Sequence, residues 1–181
     1  MVSTSGFSPL DEARGELLRE ASIEAEASGR EKAQEESGPA RSLLVFFLGS
    51  EGFAVDLVHV RKVLRPSRIA CVSGAAPEVL GLMNCLGEVL CVLDLRRVLS
   101  PGKEPGPPTA PDGKFIVVLQ HGGKEAGFLV DTVRDATEIL ASSILPVLDS
   151  VDPSRVRLFE GTVACGGQFV GLLSPSACLN P

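Results

Sequence analysis

Residues 79–99 read VLGLMNCLGEVLCVLDLRRVL, and the rest of the chain is organised around this stretch. It contains two apolar runs separated by a tight turn at residues 86–88, and then a short amphipathic run at residues 95–99. Side chains alternate between the two faces of a strand, so the second run is apolar on both faces until Asp94. This pattern predicts a hairpin whose second strand lies deep inside a β-structure.

The same pattern returns at residues 159–174, which align with residues 79–94 without a gap. The aligned pairs are Gly81 with Gly161, Cys85 with Cys165, Gly87 with Gly167, Glu88 with Gln168, Val89 with Phe169, and Leu93 with Leu173. A weaker similarity joins residues 44–56 to residues 116–131, which both read as strand, glycine-containing turn, strand and a closing Val-Asp. Two similarities in the same order indicate a duplicated β-unit. The alternative is that unrelated hairpins share these simple features.

Composition narrows the class of protein. The 181 residues fit one domain, and with 4% aromatic residues and no Trp or Tyr the core must be aliphatic. A net charge of −6 argues against nucleic-acid binding. Five cysteines without a C-x-x-C pair indicate reduced thiols in the cytoplasm. Neither a membrane-spanning run nor a secretion signal is evident, so we expect a cytoplasmic protein without membrane insertion.

The first 41 residues are predicted to form an acidic arm. Residues 1–40 carry nine acidic and four basic side chains. Within residues 11–36 the large apolar residues are only Leu17, Leu18 and Ile23, a stripe too thin to bury much surface. We therefore expect a flexible segment, disordered or partly helical, with a partner-binding helix as the alternative.

Ordered structure is expected from about Ser42, and it is interrupted by a surface linker. Residues 100–113 contain five prolines and three glycines, which exclude helix and strand. Besides the hairpin of residues 79–99, strands are predicted at residues 43–48, 53–57, 115–120, 126–131, 134–140, 158–165 and 168–173. Helical turns are predicted before a strand within residues 58–64, at Val79 and Leu80, within residues 144–157, and at residues 175–179.

Catalytic chemistry is not indicated. The two histidines, His59 at a turn-to-strand junction and His121 in a hairpin turn, lie in different halves and are expected on the surface. The spacings typical of zinc ligands, of phosphate-binding loops and of dinucleotide-binding loops do not occur. Asp56, Asp94 and Asp131 follow strands, where a carboxylate most often caps the next turn. We therefore expect a protein-interaction module with no enzymatic activity, cofactor or metal.

Several strings resemble one family. Residues 43–64 read LLVFFLGSEGFAVDLVHVRKVL, residues 76–84 read APEVLGLMN, and residues 87–96 read GEVLCVLDLR. In the second half, residues 127–133 read GFLVDTV and Leu172 and Leu173 follow. Together these strings resemble the CheW-like domain, found in the adaptor of bacterial chemotaxis arrays and in the regulatory domain of the CheA histidine kinase.

The resemblance implies a fold and a function. The fold is mainly β, with two small SH3-like β-barrels packed together, the first mostly at residues 42–100 and the second mostly at residues 114–181. The function is that of an adaptor coupling the cytoplasmic tip of a methyl-accepting chemoreceptor to the regulatory domain of a CheA-type kinase, in receptor arrays of the cytoplasm. Other CheW-like proteins are further partners that this assembly allows.

The resemblance also implies the binding residues. The receptor's helical hairpin would dock in an apolar groove between the barrels, and the kinase domain would dock edge to edge on barrel surfaces. The positions that correspond are Val60, Lys62, Val63, Asn84, Cys85, Leu86 and Gly87. Two of them depart from the family pattern, because Leu86 replaces the arginine of Asn-Leu-Arg-Gly and Lys62 stands where a glutamate is usual. Both changes alter charge at the predicted partner surface.

Three hypotheses follow. The first is the bridging adaptor, and the second is a diverged relative that binds the receptor but not the kinase and so insulates or tunes the array. The third is a small catalytic or ligand-binding β-barrel, whose mark would be a defined apolar pocket with convergent polar groups.

Overall fold

The computed structural model describes residues 38–100, 110–147 and 153–180, except for the side chain of Ser154. Residues 1–37 of the predicted arm and residues 101–109 of the predicted linker therefore lie outside the described residues. The segment Pro39–Pro181 forms one compact unit. The first strand begins at Ala40, two residues before the predicted start of ordered structure.

The elements are eleven strands, three single-turn α-helices and two 3-10 turns within the described residues. The strands are β1 (Ala40–Leu48), β2 (Glu51–Asp56), β3 (Val60–Leu64), β4 (Ile69–Ala70), β5 (Val79–Cys85), β6 (Glu88–Asp94), β7 (Phe115–His121), β8 (Lys124–Val130), β9 (Thr132–Leu140), β10 (Phe159–Cys165) and β11 (Gln168–Leu173). The helices are α1 (Leu95–Val98), α2 (Pro153–Val156) and α3 (Pro175–Cys178), and the 3-10 turns are Leu57–His59 and Ala141–Ser143. The expected mainly β fold with short helical turns is confirmed.

Two sheets contain these strands. One has five strands in the order β10-β11-β2-β1-β9, and the other has six in the order β3-β7-β8-β6-β5-β4. Neighbouring strands are antiparallel except for two parallel pairs, β2 with β11 and β6 with β8. Strands β1, β2, β3, β5 and β6 of the first half correspond to β7, β8, β9, β10 and β11 of the second. When β4 is left out, replacing each strand by its counterpart converts the order of one sheet into the order of the other.

The sheets do not follow the two halves of the chain that we expected to form separate barrels. The hairpin β1–β2 comes from the first half, yet it joins β9, β10 and β11 of the second half. The hairpin β7–β8 joins β3 to β6 of the first half in the same way. Each sheet contains one parallel pair of strands, and a tight turn cannot join parallel neighbours. In both pairs the two strands come from opposite halves of the chain. The halves therefore exchange their first hairpins.

Three apolar clusters form the core. One belongs to the five-stranded sheet and includes Leu43 and Val163, and a second belongs to the six-stranded sheet and includes Met83 and Val118. The third combines residues of both sheets with residues of α1 and α3, and contains Phe46 and Phe128 among others. Strands β1 and β7 contribute to the third cluster with one face and to their own sheet's cluster with the other. The two sheets are thus joined by a continuous apolar interior.

The duplication seen in the sequence holds in the register of the strands. Hairpin β5–β6 pairs Cys85 with Glu88, and hairpin β10–β11 pairs Cys165 with Gln168. Both ladders shift register at the same aligned position, between Val79 and Gly81 and between Phe159 and Gly161. A shared irregularity of this kind is a conserved feature of the unit rather than a property of hairpins in general.

Two expectations about the central stretch were wrong. Val79 and Leu80 do not form a helical turn, because β5 already begins at Val79 and pairs it with Leu93. The strand β6 is not buried along its whole length, since Val89 is 73% exposed while Val92 is fully buried. The base of the hairpin is therefore buried, whereas its apolar tip is exposed to solvent.

Candidate partner-binding surface

The tip of hairpin β5–β6 is a two-residue turn formed by Leu86 and Gly87. Both residues have positive φ, +55° and +92°, as a type I′ hairpin turn requires. The Oδ1 atom of Asn84 accepts a hydrogen bond of 3.0 Å from the backbone N–H of Gly87 and closes the turn. Leu86 has the only positive φ among non-glycine residues of the described chain, and its side chain is 94% exposed.

The outer face of the hairpin continues this apolar tip. Asn84 lies opposite Val89, and Leu82 lies opposite the half-buried Cys91. Leu82 is also exposed, so Leu82, Leu86 and Val89 form an exposed apolar patch, which we call the hairpin patch. The opposite face of the hairpin packs inward, and the predicted site residue Cys85 belongs to it with only 8% exposure. Its thiol is therefore part of the core of the six-stranded sheet.

The other predicted residues lie on β3, the strand at one edge of the six-stranded sheet. Val60, Lys62 and Val63 pair with β7 opposite Leu119, Val118 and Val117, and a register shift separates the first pair from the second. Val60 is half-buried and packs against the cluster between the sheets, whereas Val63 is exposed. Lys62 is half-buried, and no ion pair of it occurs within the described residues.

Two exposed apolar residues beside β3 escaped the sequence reasoning. Leu57 and Val58 form the 3-10 turn before β3, and Val58 is 79% exposed. Asp56 fixes this turn, because its Oδ1 accepts a hydrogen bond of 3.1 Å from the backbone N–H of Val58. Leu57, Val58 and Val63 are exposed apolar residues in or beside this edge strand, and we call them together the edge patch. An apolar pair directly after a capping Asp was the available signal.

The sequence-predicted residues therefore fall into two groups on one sheet. In the order of the six strands, β7, β8 and β6 separate β3 from β5. The edge patch and the hairpin patch therefore lie on or beside different strands of the six-stranded sheet. This arrangement offers two apolar surfaces on one rigid frame.

The carboxylate of Asp131, directly after β8, holds several neighbouring segments together. Asp131 accepts hydrogen bonds from the Nζ of Lys114, from an Nη of Arg96 and, at 2.6 Å, from the backbone N–H of Gly49. Burial by itself would raise the pKa of Asp131, but the hydrogen bonds and the two cations outweigh burial and lower it. The charged form of Asp131 therefore ties together the β1–β2 turn, α1 and the start of β7.

Three of the cysteines of the described residues have thiols that the fold keeps protonated. Burial raises the pKa of the thiols of Cys91 and Cys165, and it raises the pKa of Cys178 to about 12, so these thiols stay protonated. No group of three or more His, Cys, Asp or Glu side chains that could hold a metal ion occurs in this part of the chain. An open cleft of about 660 Å³ has Arg65, Arg68 and Lys114 with apolar Ile69 and Leu80 in its wall. Cys71 and Asp112 also line this cleft, and no histidine does.

The described helices are also short. Each α-helix has four residues, so none of those described reaches the length and apolar character that crossing a bilayer requires.

Comparison with known proteins assigns the fold to a class of signalling domain. The family model of the CheW-like domain matches residues 42–180, which is most of the chain. The chain belongs to the CheW-like domain family.

Individual relatives agree with this assignment. A probable chemotaxis protein CheW of Rhizobium etli is 28% identical over 140 residues, which cover 77% of this chain and 88% of the relative. Protein FrzA of Myxococcus xanthus is 31% identical over 144 residues, covering 78% of this chain and 87% of FrzA. The crystal structure of the scaffolding protein TtCheW from Thermoanaerobacter tengcongensis superposes with a TM-score of 0.63 at 22% identity, covering 75% of this chain and 90% of TtCheW. At that identity the superposition supports the fold.

Proposed function

We propose that this protein is a non-catalytic adaptor that couples the cytoplasmic tip of a chemoreceptor to the regulatory domain of a CheA-type histidine kinase in the cytoplasm. The observation that carries the proposal is the hairpin patch, in which Leu86 is 94% exposed on a hairpin whose base is fixed in the core. Solvent-exposed apolar patches on a rigid frame are typical of protein interfaces. Membership of the CheW-like family supplies the class of partner.

The backbone of Leu86 adds a second argument. A leucine with φ of +55° has a conformational energy higher by about 1–2 kcal/mol than in the right-handed region. Glycine stands at the aligned position of the other hairpin, Gly166, so the turn does not need a leucine. With 94% exposure the side chain gains no packing within the described chain. A partner that covers this side chain would compensate for the strain.

Two separate patches suit a protein with two partners. Val60 and Val63 on β3, with the edge patch beside them, would form one contact, and residues 84–87 with the hairpin patch would form the other. Lys62 lies between Val60 and Val63 and supplies a cation that an acidic partner surface would complement.

The alternative proposal is a diverged adaptor that binds the receptor but not the kinase. Its support is the nature of the two departures, since an exposed leucine replaces a cation at position 86 and a cation replaces an acid at position 62. Such exchanges remove a charged contact or reverse it, and they change partner choice more than fold.

Isothermal titration calorimetry of the full-length protein tests both proposals. The kinase regulatory domain and a receptor-tip fragment of the same signalling system are titrated separately at physiological salt. The bridging adaptor predicts saturable binding of both, and Leu86→Asp is expected to weaken one of them at least tenfold. Phe169→Asp serves as the control for an added charge at the tip of the other hairpin, since Phe169 is 62% exposed.

The outcomes separate the proposals. Binding of the receptor fragment without binding of the kinase domain selects the alternative. Binding of neither fragment contradicts both proposals.

A further inference from the structure

The chain has two histidines, and the fold places them against each other. His59 ends the 3-10 turn before β3, and His121 is the last residue of β7 rather than a residue of the following turn. Their ring centroids are 5.0 Å apart, with an angle of 65° between the ring planes. The two residues come from opposite halves of the chain, so the pairing of β3 with β7 creates this contact.

The separation fits two imidazoles bound to one metal ion. A metal–nitrogen bond of about 2.0–2.1 Å places the metal about 3.2 Å from each ring centre. Two such rings are then about 4.5 Å apart at a 90° angle and about 5.2 Å apart at a tetrahedral angle. The observed 5.0 Å lies within this range. His121 is exposed and His59 is half-buried, so an ion from solvent can reach the pair.

The neighbouring residues of the β7–β8 hairpin add no further metal ligand. Gly122 and Gly123 form the turn after His121 and carry no side chain. Lys124 lies opposite His121 in the β7–β8 ladder, and its Nζ donates to Oδ1 of Asn180. No third carboxylate, thiol or imidazole joins the pair within the described residues. Water would therefore complete the coordination.

We propose that His59 and His121 form a binding site for one divalent late-transition-metal ion of the Cu²⁺, Ni²⁺ and Zn²⁺ class. Neutral imidazole suits these ions, and their order of affinity places Cu²⁺ first. A bound ion would tie the 3-10 turn of the edge patch to the end of the β7–β8 hairpin. Metal binding would in this way restrict the motion of a turn whose Val58 side chain is mostly exposed.

Calorimetric titration with Ni²⁺ tests this site in the full-length protein. Cys71 is the one exposed cysteine of the five, so the titration uses a Cys71→Ser background to remove a competing thiol. We expect one Ni²⁺ per chain at pH 7.5. His59→Gln and His121→Gln are each expected to weaken binding at least tenfold, and Lys124→Gln is expected to retain it.

A second readout covers the folded state. The midpoint of thermal unfolding should rise with added Ni²⁺ in the parent protein and stay constant in His59→Gln and His121→Gln. Ring resonances of both histidines should broaden together in proton NMR spectra. Unchanged Ni²⁺ affinity in either histidine variant, or broadening of only one ring, overturns the proposal.

Discussion

Hairpins β5–β6 and β10–β11 are copies of one unit, and they differ mainly at their tips. Their turns have nearly the same backbone, with φ of +55° and +92° at Leu86 and Gly87 and of +57° and +81° at Gly166 and Gly167. Cys85 and Cys165 are equally buried at the same place. The fold therefore requires the buried cysteine position and the positive φ values, whereas it tolerates either leucine or glycine at the first turn position. The leucine is a difference that folding does not explain, which favours a role in binding.

The largest expected effect concerns the glycine at the register shift of each hairpin. A Cβ at Gly81, whose φ is +147°, would lie 2.2 Å from the carbonyl oxygen of Ala70. Gly81→Ala should therefore lower the free energy of unfolding by about 3–5 kcal/mol. At Gly161 the Cβ would lie 2.5 Å from the carbonyl oxygen of Leu145, without a positive φ, and the loss should be smaller. Urea denaturation measures both.

The control for this pair is Gly74→Ala. Gly74 also has a positive φ, +76°, but an added Cβ would meet no atom within 4 Å. Its replacement should cost about 1 kcal/mol, the strain of the backbone alone. Equal losses for Gly81→Ala and Gly74→Ala would show that the close backbone contact at β4 is unimportant.

The second effect compares the two carboxylates that close the first hairpins. Asp131 has three donors, whereas Asp56 accepts from Nε of Arg41 at 2.8 Å and from the N–H of Val58. Asp131→Asn should destabilise the protein by about 1–3 kcal/mol at pH 7, and by more than Asp56→Asn, because it leaves two cationic donors, the half-buried Lys114 and the partly exposed Arg96, with a weaker acceptor.

This effect should depend on pH in a definite direction. The pKa of Asp131 is lowered on folding, so its contribution is complete above the unfolded pKa of about 3.9. The contribution is lost as pH falls through the lower, folded-state pKa. The difference in urea midpoint between the parent and Asp131→Asn should therefore shrink on acidification below about pH 4. A difference that grows on acidification would contradict the assignment.

The third effect tests the turn itself. Leu86→Gly gives hairpin β5–β6 the turn of hairpin β10–β11 and should raise stability by about 1 kcal/mol, since glycine adopts positive φ without strain. Gly166→Leu makes the opposite change and should lower stability by a similar amount. Differential scanning calorimetry compares the two variants with the parent. A loss of stability in Leu86→Gly would mean that the leucine side chain packs within the protein.

The smallest effect concerns the exposed residues beside the turns. Val89→Ser and Phe169→Ser should each change the free energy of unfolding by no more than about 0.5 kcal/mol, because both side chains are mostly exposed. Chemical denaturation provides the measurement. A substantially larger loss in either variant would place that side chain in a packed environment and remove it from the list of candidate contact residues.

The local units of the fold were predictable from the sequence, but their assembly was not. Residues 79–94 and 159–174 revealed two equivalent hairpins, because alternating apolar residues and turn glycines act over short distances. The exchange of hairpins depends on parallel pairs such as Val92 with Gly127, which join residues of opposite halves and leave no local pattern. The contact between His59 and His121 was missed for the same reason.

The candidate site was predictable only in part. Resemblance to the family directed attention to residues 84–87 and to β3, yet it could not show that Cys85 is buried while its neighbour Leu86 is exposed. Val89 was expected inside, because apolar alternation does not reveal where a hairpin extends beyond its covering layer. Leu57 and Val58 were overlooked because apolar residues were expected to be buried, whereas both are exposed in the 3-10 turn that Asp56 caps.

The most direct measurement is methyl NMR of the protein labelled at alanine, leucine and valine, with the kinase regulatory domain and the receptor-tip fragment added in turn. Leu86 and Val89 report on one hairpin tip, and the exposed Ala164 reports on the other. We predict that at least one partner shifts or broadens the Leu86 and Val89 methyl signals while Ala164 is unchanged. Equal perturbation of both tips, or none at Leu86 with either partner bound, would contradict the claim that the difference between the hairpins serves partner binding.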